Sequence, residues 1–249
     1  VAALAVKGTA GTVVTLTRYS AGVEAFGEDA AAAPGMSTLL KLLFQNGAST
    51  VEAVRVDEAG DTAAYQAAFA ALADREVQVM VCDSSDLAVQ KALKAAVEAA
   101  SGARKERIGV IGGSGDTAAE LVTRAAAINS ERMVLTAPGD VRMAAAAAAV
   151  IAGESDPSVP VNGAVLAGFS GLSASYDDTQ VDTLVTGGVT PLEGNAGIAS
   201  PVRGVTTRTT TGGASDSTWR ELSTVLIVDN VIPQIRSALR RTFNRAKNT

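Results

Sequence analysis

The chain has 249 residues, 47% hydrophobic and only 4% aromatic, with a formal net charge of −5. That much apolar content argues against a disordered chain, and the acidic balance argues against general nucleic-acid binding, which needs Lys and Arg clustered against phosphate. There is no histidine and one cysteine, Cys82, which removes Ser-His-Asp and Cys-His catalysis, the commonest metal ligand, and any intramolecular disulfide.

In chain order, residues 1–30 read as a short strand at 13–16 with loops around Gly22 and Gly27. Met36, Leu39, Leu40 and Leu43 fall at helical spacing, and Gly47 is a suitable stop. A regular alternation follows. Strands are predicted at 51–56, 77–82, 108–111 and 132–136, and helices at 61–73, 87–100, 116–129 and 141–152. Strands of four to six residues between helices of about a dozen predict βαβ units and a mainly parallel sheet. Their runs are apolar on both faces, as helix-covered strands require. The longest apolar stretch, 143–152, is too short to span a bilayer.

The pattern changes after Gly153. Pro157, Pro160 and Gly163 break the chain, β-like runs appear near 164–169 and 197–205, and 206–217 is nearly all Thr, Gly, Ser and Asp. That last stretch reads as a surface hairpin or mobile loop. Residues 220–228 fit either helix or strand, since Thr218 to Glu221 has capping-box spacing while TVLIV favours a strand. At the end, Ile232, Ile235, Leu239 and Phe243 form one helical stripe, with Arg236, Arg240 and Arg245 largely off it. Residues 230–249 carry +5 and no acid, so the total of −5 leaves −10 on residues 1–229.

Candidate chemistry centres on the turn Gly112-Gly113-Ser114-Gly115-Asp116-Thr117, between a predicted strand and helix. Free N–H groups and the helix dipole at such a turn can cradle phosphate, although the dinucleotide, P-loop and nucleophile-elbow patterns are all unmet. The plain reading is a tight turn with Ser114 or Asp116 as cap. Asp57, Asp83 and Asp86 lie just past strand ends, where doubly wound folds place ligands and carboxylates can hold Mg²⁺ or move protons; they are also ordinary helix caps. Cys82 reads as a buried small residue. Trp219, the only tryptophan, reads as a partner anchor or as a core residue pinning the last helix.

Several segments, taken in order, resemble the contractile-tail sheath proteins of bacteriophages and related injection machines. They are IGVIGG at 108–113, MVLTAPG at 133–139, the Ala-rich run ending at Gly153, DPSVPVNG at 156–163, the short helix ending in Gly187-Gly188-Val189, VRGVTT at 202–207, and the Trp219–Asp229 segment with the final amphipathic helix. The resemblance implies an α/β fold, with a mainly parallel βαβ core covered by helices, a β-rich, Thr-rich C-terminal third and a final amphipathic helix. It implies a structural, non-enzymatic subunit, without catalytic residue, metal or cofactor. Such subunits polymerise around a tail tube and contract to drive it through a cell envelope. The implied partners are copies of the chain itself and the tail tube protein, with no nucleic acid and no membrane insertion. The implied place is the virion tail, assembled in the bacterial host cytoplasm.

On this reading residues 1–34 are an N-terminal strand-and-loop segment, and 35–249 are the sheath core, with 154–249 a subregion extending the same sheet. Chain ends in the family typically add strands to neighbouring subunits. This sequence departs from that pattern by opening on Val1 and stopping at Thr249, so the expectation is a trimmed core, monomeric in solution. Arg236, Arg240, Arg241 and Arg245 are the expected subunit contact, meeting acidic surface on a neighbour. The alternative reading is a nucleotide- or phosphate-binding α/β enzyme using the turn at 112–117. A periplasmic-type binding protein is disfavoured by the Thr/Gly-rich third.

Overall fold

A computed structural model describes residues 1–30, 33–114 and 117–243. Strands β1 (Ala2–Ala3) and β2 (Val13–Leu16) precede helices α1 (Tyr19–Phe26) and α2 (Met36–Gln45) and strand β3 (Val51–Arg55). The alternation then runs α3 (Thr62–Ala71), β4 (Val79–Val81), α4 (Leu87–Gly102), β5 (Ile108–Gly112), α5 (Ala118–Ile128), β6 (Met133–Ala137) and α6 (Val141–Gly153). The last third holds α7 (Asp178–Thr186), β7 (Thr190–Asn195), β8 (Ile198–Pro201), the hairpin β9 (Thr210–Thr211) and β10 (Ala214–Ser215), and α8 (Leu222–Phe243).

Aspartates start most of the crossover helices. Asp61, Asp86 and Asp140 adopt extended backbone and accept hydrogen bonds from the first free N–H groups of α3, α4 and α6. Thr117 and Asp177 do the same for α5 and α7 in reciprocal capping boxes with Glu120 and Gln180. Each such cap contributes about 1 kcal/mol.

Strands β4-β5-β6-β7 are parallel neighbours and β8 closes that sheet antiparallel to β7. The order β1-β3-β2 forms a second sheet, with β1 parallel and β2 antiparallel to β3. A single parallel bridge, Ala2 to Cys82, joins the two, so β1 sits between β3 and β4. The α/β expectation with a mainly parallel core is therefore met.

Register explains the layering. Val81, Val110 and Val134 lie side by side across β4, β5 and β6 and pack into one core with α1, α2, α6 and the start of α8. The alternate residues Met80, Ile111, Met133 and Leu135 face the opposite core, with α3, α4, α5 and α7. Period-two alternation thus divides apolar strand residues between two helical layers. From Met143 onward helix α6 is apolar all round, and Ala144 to Ala149 are each at most 4% exposed. With so few aromatics, this run of small side chains lets α2 and the sheet approach α6 closely enough to fill space.

Several expectations are corrected in detail. Residues 19–26, expected as loop, form helix α1. Residues 164–169 form no strand, only a bridge from Leu166 to Ala199, and the run 197–205 is a strand only at Ile198–Pro201. The cap of α5 is Thr117 rather than Ser114; Asp116, the other candidate, lies outside the described residues. The ambiguous stretch 220–228 is helical from Leu222. Trp219 is half-buried, packs against the core shared by α2 and α6, and its carbonyl accepts from the Thr206 hydroxyl at 2.7 Å. Among the described residues no helix is long and apolar enough to cross a membrane.

Candidate functional site

The Gly-rich turn has a different use from a ligand cradle. A β-carbon on Gly112 would lie 2.3 Å from the Asp140 carbonyl oxygen, and one on Gly139 would lie 2.3 Å from the Gly113 nitrogen. The two strand-to-helix turns after β5 and β6 therefore pack backbone on backbone, and glycine is the residue that permits it. The α5 N-terminus is also occupied. The Glu120 carboxylate accepts from the Thr117 N–H and hydroxyl, each at 2.8 Å. A carboxylate already sits where an anion would bind, so the phosphate-binding alternative finds no support here.

Two of the three aspartates past the strand ends are likewise committed. Asp86 caps α4, accepting from Ala88 N–H at 2.7 Å. Asp83 accepts from the Tyr65 hydroxyl at 2.6 Å and from Leu4 N–H at 2.8 Å, tying the residue after β1 to α3. Burial pushes the Asp83 carboxyl above the usual carboxylate range, against the hydrogen bonds that hold it down, and pushes the Tyr65 hydroxyl up as well. Asp57 is exposed. Burial raises the Cys82 thiol to about 12, which keeps it protonated and inert. Among the described residues, no group of three or more acidic or thiol side chains could hold a metal ion.

The distinctive surface is α8. Its first turn is anchored by Leu222 and Val225, which are 2% and 1% exposed. Beyond them Ile227, Val231, Ile235, Leu239 and Phe243 are 38% to 70% exposed. A spacing of four residues advances about 40° around a helix, so these side chains form one inclined apolar ridge. The stripe predicted from Ile232, Ile235, Leu239 and Phe243 thus exists, but its last three members face outward instead of joining the core. From 237 to 243 every residue is exposed, Arg240 and Arg241 among them. A ridge of large apolar groups beside two cations is the signature of a protein contact face.

Two ion pairs hold the middle of α8. Asp229 Oδ2 accepts from the Arg132 guanidinium, and Glu106 Oε1 accepts from Arg236 Nη1 at 2.5 Å. Arg208 donates to Glu131 at 2.7 Å beside them. Arginines 132, 208 and 236 therefore interleave with Glu106, Glu131 and Asp229 around the N-terminal ends of β5 and β6. Burial is the main influence raising the Asp229 carboxyl above its ordinary value; Arg132 opposes it, and nearby Glu106 and Glu131 add to it. A cavity of about 500 Å³ lies alongside, lined by Val1, Val51, Val79, Glu106, Asp229 and Pro233 among others.

Of the four arginines expected to meet a neighbour, Arg236 is paired within its own chain, Arg240 and Arg241 are exposed, and Arg245 lies outside the described residues, as does Lys247. Sequence reasoning missed Glu106, Arg132 and Asp229. Their partners lie 97 and 130 residues away, and no local pattern marks such pairs.

The structure is thus a three-layer α/β body whose turns after β5 and β6 pack backbone on backbone at Gly112 and Gly139, with a final helix that carries its apolar ridge outward. The chain belongs to the phage tail sheath protein family: residues 59–207 match the family model described as the phage tail sheath protein central domain. No curated protein sequence matches the chain. Solved structures share the fold. A crystal structure of a sheath tail protein from Desulfitobacterium hafniense superposes with TM-score 0.73 at 12% identity, over 97% of this chain and 78% of that one. The helical sheath of the anti-feeding prophage in its contracted state gives TM-score 0.72 at 15% identity, over 100% and 71%. A sheath tail protein from Listeria innocua gives 0.69 at 12% identity, over 98% and 77%.

Proposed function

We propose that this chain is the structural subunit of a contractile tail sheath, which polymerises around a tail tube and contracts to drive the tube through a cell envelope. The work is mechanical packing of copies, without a catalytic step. The observation that carries this reading, within a chain of the sheath family, is α8: an outward apolar ridge flanked by Arg240 and Arg241 on a body of opposite net charge. Solved relatives include sheaths captured in contracted states, those of the anti-feeding prophage and of an extracellular contractile injection system. On this reading the assembly sits in the tail of a virion or related particle and is built in the bacterial host cytoplasm.

On this reading Arg240, Arg241 and Arg245 meet acidic surface on a neighbouring copy or on the tube, and Arg236 sets the helix that presents them. Complementary charge steers and registers such contacts, and a head-to-tail contact propagates into a helical polymer. Electron microscopy of the full-length gene product tests the proposal. Extended or contracted tubes are expected, and their number falls when Arg240 and Arg241 are both replaced by Glu while the melting temperature stays unchanged. Undiminished tubes from that variant would remove the arginine contact. A saturable melting-temperature rise with ATP, NAD or a sugar phosphate would return the enzyme reading.

A further inference from the structure

We infer that the Arg132–Asp229 and Arg236–Glu106 pairs form a two-point clamp that sets the direction of α8 relative to the body. These four are positioning residues. The inference rests on the reading above only in that the segment they aim, 237–243, is the contact surface proposed there.

Apolar burial cannot fix this helix along its length. Leu222 and Val225 are its only buried residues among those described, and half-buried Leu226 packs against the same core, so the strong apolar anchorage is confined to the first five residues of the helix. Beneath Asp229 and Pro233 lies the 500 Å³ cavity instead of a packed layer. Beyond Leu226 the apolar cover thins to half-buried Val228 and Ile232, and the Arg132–Asp229 and Arg236–Glu106 pairs tie this stretch to the body. Asp229 and Arg236 are seven residues apart, two turns and about 10 Å along the axis, and so fall on one face. Two fixed points on one face define a direction; one point leaves a pivot.

The pairs are sheltered enough to act this way. Arg132 and Asp229 side chains are 15% and 13% exposed, and in the second pair Glu106 is 8% exposed while Arg236 is half-buried at 35%. Exposed pairs contribute little and are screened by salt, whereas sheltered pairs are screened far less. The arrangement is also costly: Asp229 Oδ1 is buried without a hydrogen-bond partner among the described residues. A carboxylate kept partly unsatisfied adds little net stability, and fixing geometry is the better-attested use of such pairs.

Pro233 lies between the two points. It lacks the N–H that would bond the carbonyl four residues back, at Asp229, and its ring strains that turn. The helix is therefore most easily bent between the clamps. Without the Arg236–Glu106 pair, the distal half swings about Pro233 even while Arg132 keeps Asp229.

The test places spin labels at Ala238→Cys on distal α8 and Ala103→Cys at the end of α4, and reads the distance distribution by pulsed electron paramagnetic resonance. Both sites are exposed, and native Cys82 is buried and unreactive. The labelled full chain is expected to give one narrow maximum. Arg236→Gln, Glu106→Gln and Arg132→Gln are each expected to lose it to a broad distribution, and the exchanged pair Glu106→Arg with Arg236→Glu to restore it. A merely structural role does not predict rescue by exchange. Single variants that keep the narrow maximum overturn the clamp. Should Arg132→Gln fail to fold, the Glu106 and Arg236 variants decide the matter alone. Tube assembly is scored separately: broadened distances with undiminished tubes uphold the clamp and remove the contact role of α8.

Discussion

Gly112 meets Asp140 backbone to backbone, so close that a β-carbon on Gly112 would sit 2.3 Å from the Asp140 carbonyl oxygen and 3.0 Å from Val141 nitrogen. Neither atom belongs to a side chain that can turn aside. Gly112→Ala is therefore expected to destabilise the fold by about 1–3 kcal/mol through overpacking, read as a lower denaturant midpoint at unchanged slope. Gly102→Ala is the matching control. Nothing lies within 4 Å of its added carbon in α4, and a helical Gly-to-Ala change is expected to stabilise by about 0.5–1 kcal/mol.

Asn129 ends α5 in the left-handed region, with φ of 44°. Its Oδ1 accepts from Thr209 and Thr210 N–H at 3.0 and 3.2 Å, and its Nδ2 donates to the Thr210 carbonyl at 3.1 Å. Asn129→Gly keeps the backbone freedom and loses the three bonds; Asn129→Ala loses both. Amide exchange across β9 and β10 is expected to accelerate in each variant. The alanine variant is expected to be less stable than the glycine variant by about 1 kcal/mol. Equal stabilities would show that the left-handed turn is held by something other than Asn129.

Arg107 is 1% exposed and donates to the carbonyls of Leu72, Ala73 and Arg75 at 3.0, 3.3 and 2.9 Å, closing the end of α3. Arg107→Met removes all three bonds, although the Leu72 and Arg75 carbonyls keep the N–H groups of Arg75 and Val77, and is expected to cost about 1.5–3 kcal/mol in thermal or chemical unfolding. Arg107→Lys is expected to recover only part of the loss, because one ammonium cannot span three carbonyls as a planar guanidinium does.

Asp83 gives the fold a pH dependence of definite sign. Its carboxyl titrates higher in the folded chain than in the unfolded one because burial penalises the charge. The stability it contributes is complete below the ordinary carboxylate value of about 4 and declines as pH rises through the folded value. Asp83→Asn lacks that decline. Measured between about pH 4 and pH 7, the melting temperature of the variant minus that of the parent is expected to rise with pH. A flat or falling difference would contradict the assignment.

The parallel core was legible because helix and strand periods differ and the helix starts are marked. Asp61, Asp86 and Asp140 stand immediately before three helices and cap each of them. What stayed hidden depends on distant partners. Helix α1 looks like loop because of Gly22, yet a β-carbon there would lie 2.6 Å from Leu40 Cδ1, so the glycine serves the approach of α1 to α2. β1 is two alanines, a strand only because β3 and Cys82 lie beside it. For α8 the period placed Ile235, Leu239 and Phe243 on one side correctly. Period states which residues share a face, and says nothing of whether the chain itself covers that face.

The parallel setting of β1 has a mechanical consequence. It is hydrogen-bonded to β3 on one flank and bridged to β4 on the other, running in the same direction as both. Tension drawn along this strand loads its bonds together in shear instead of peeling them one by one. The seam between the two sheets thus resists pulling along the strands better than prying across them.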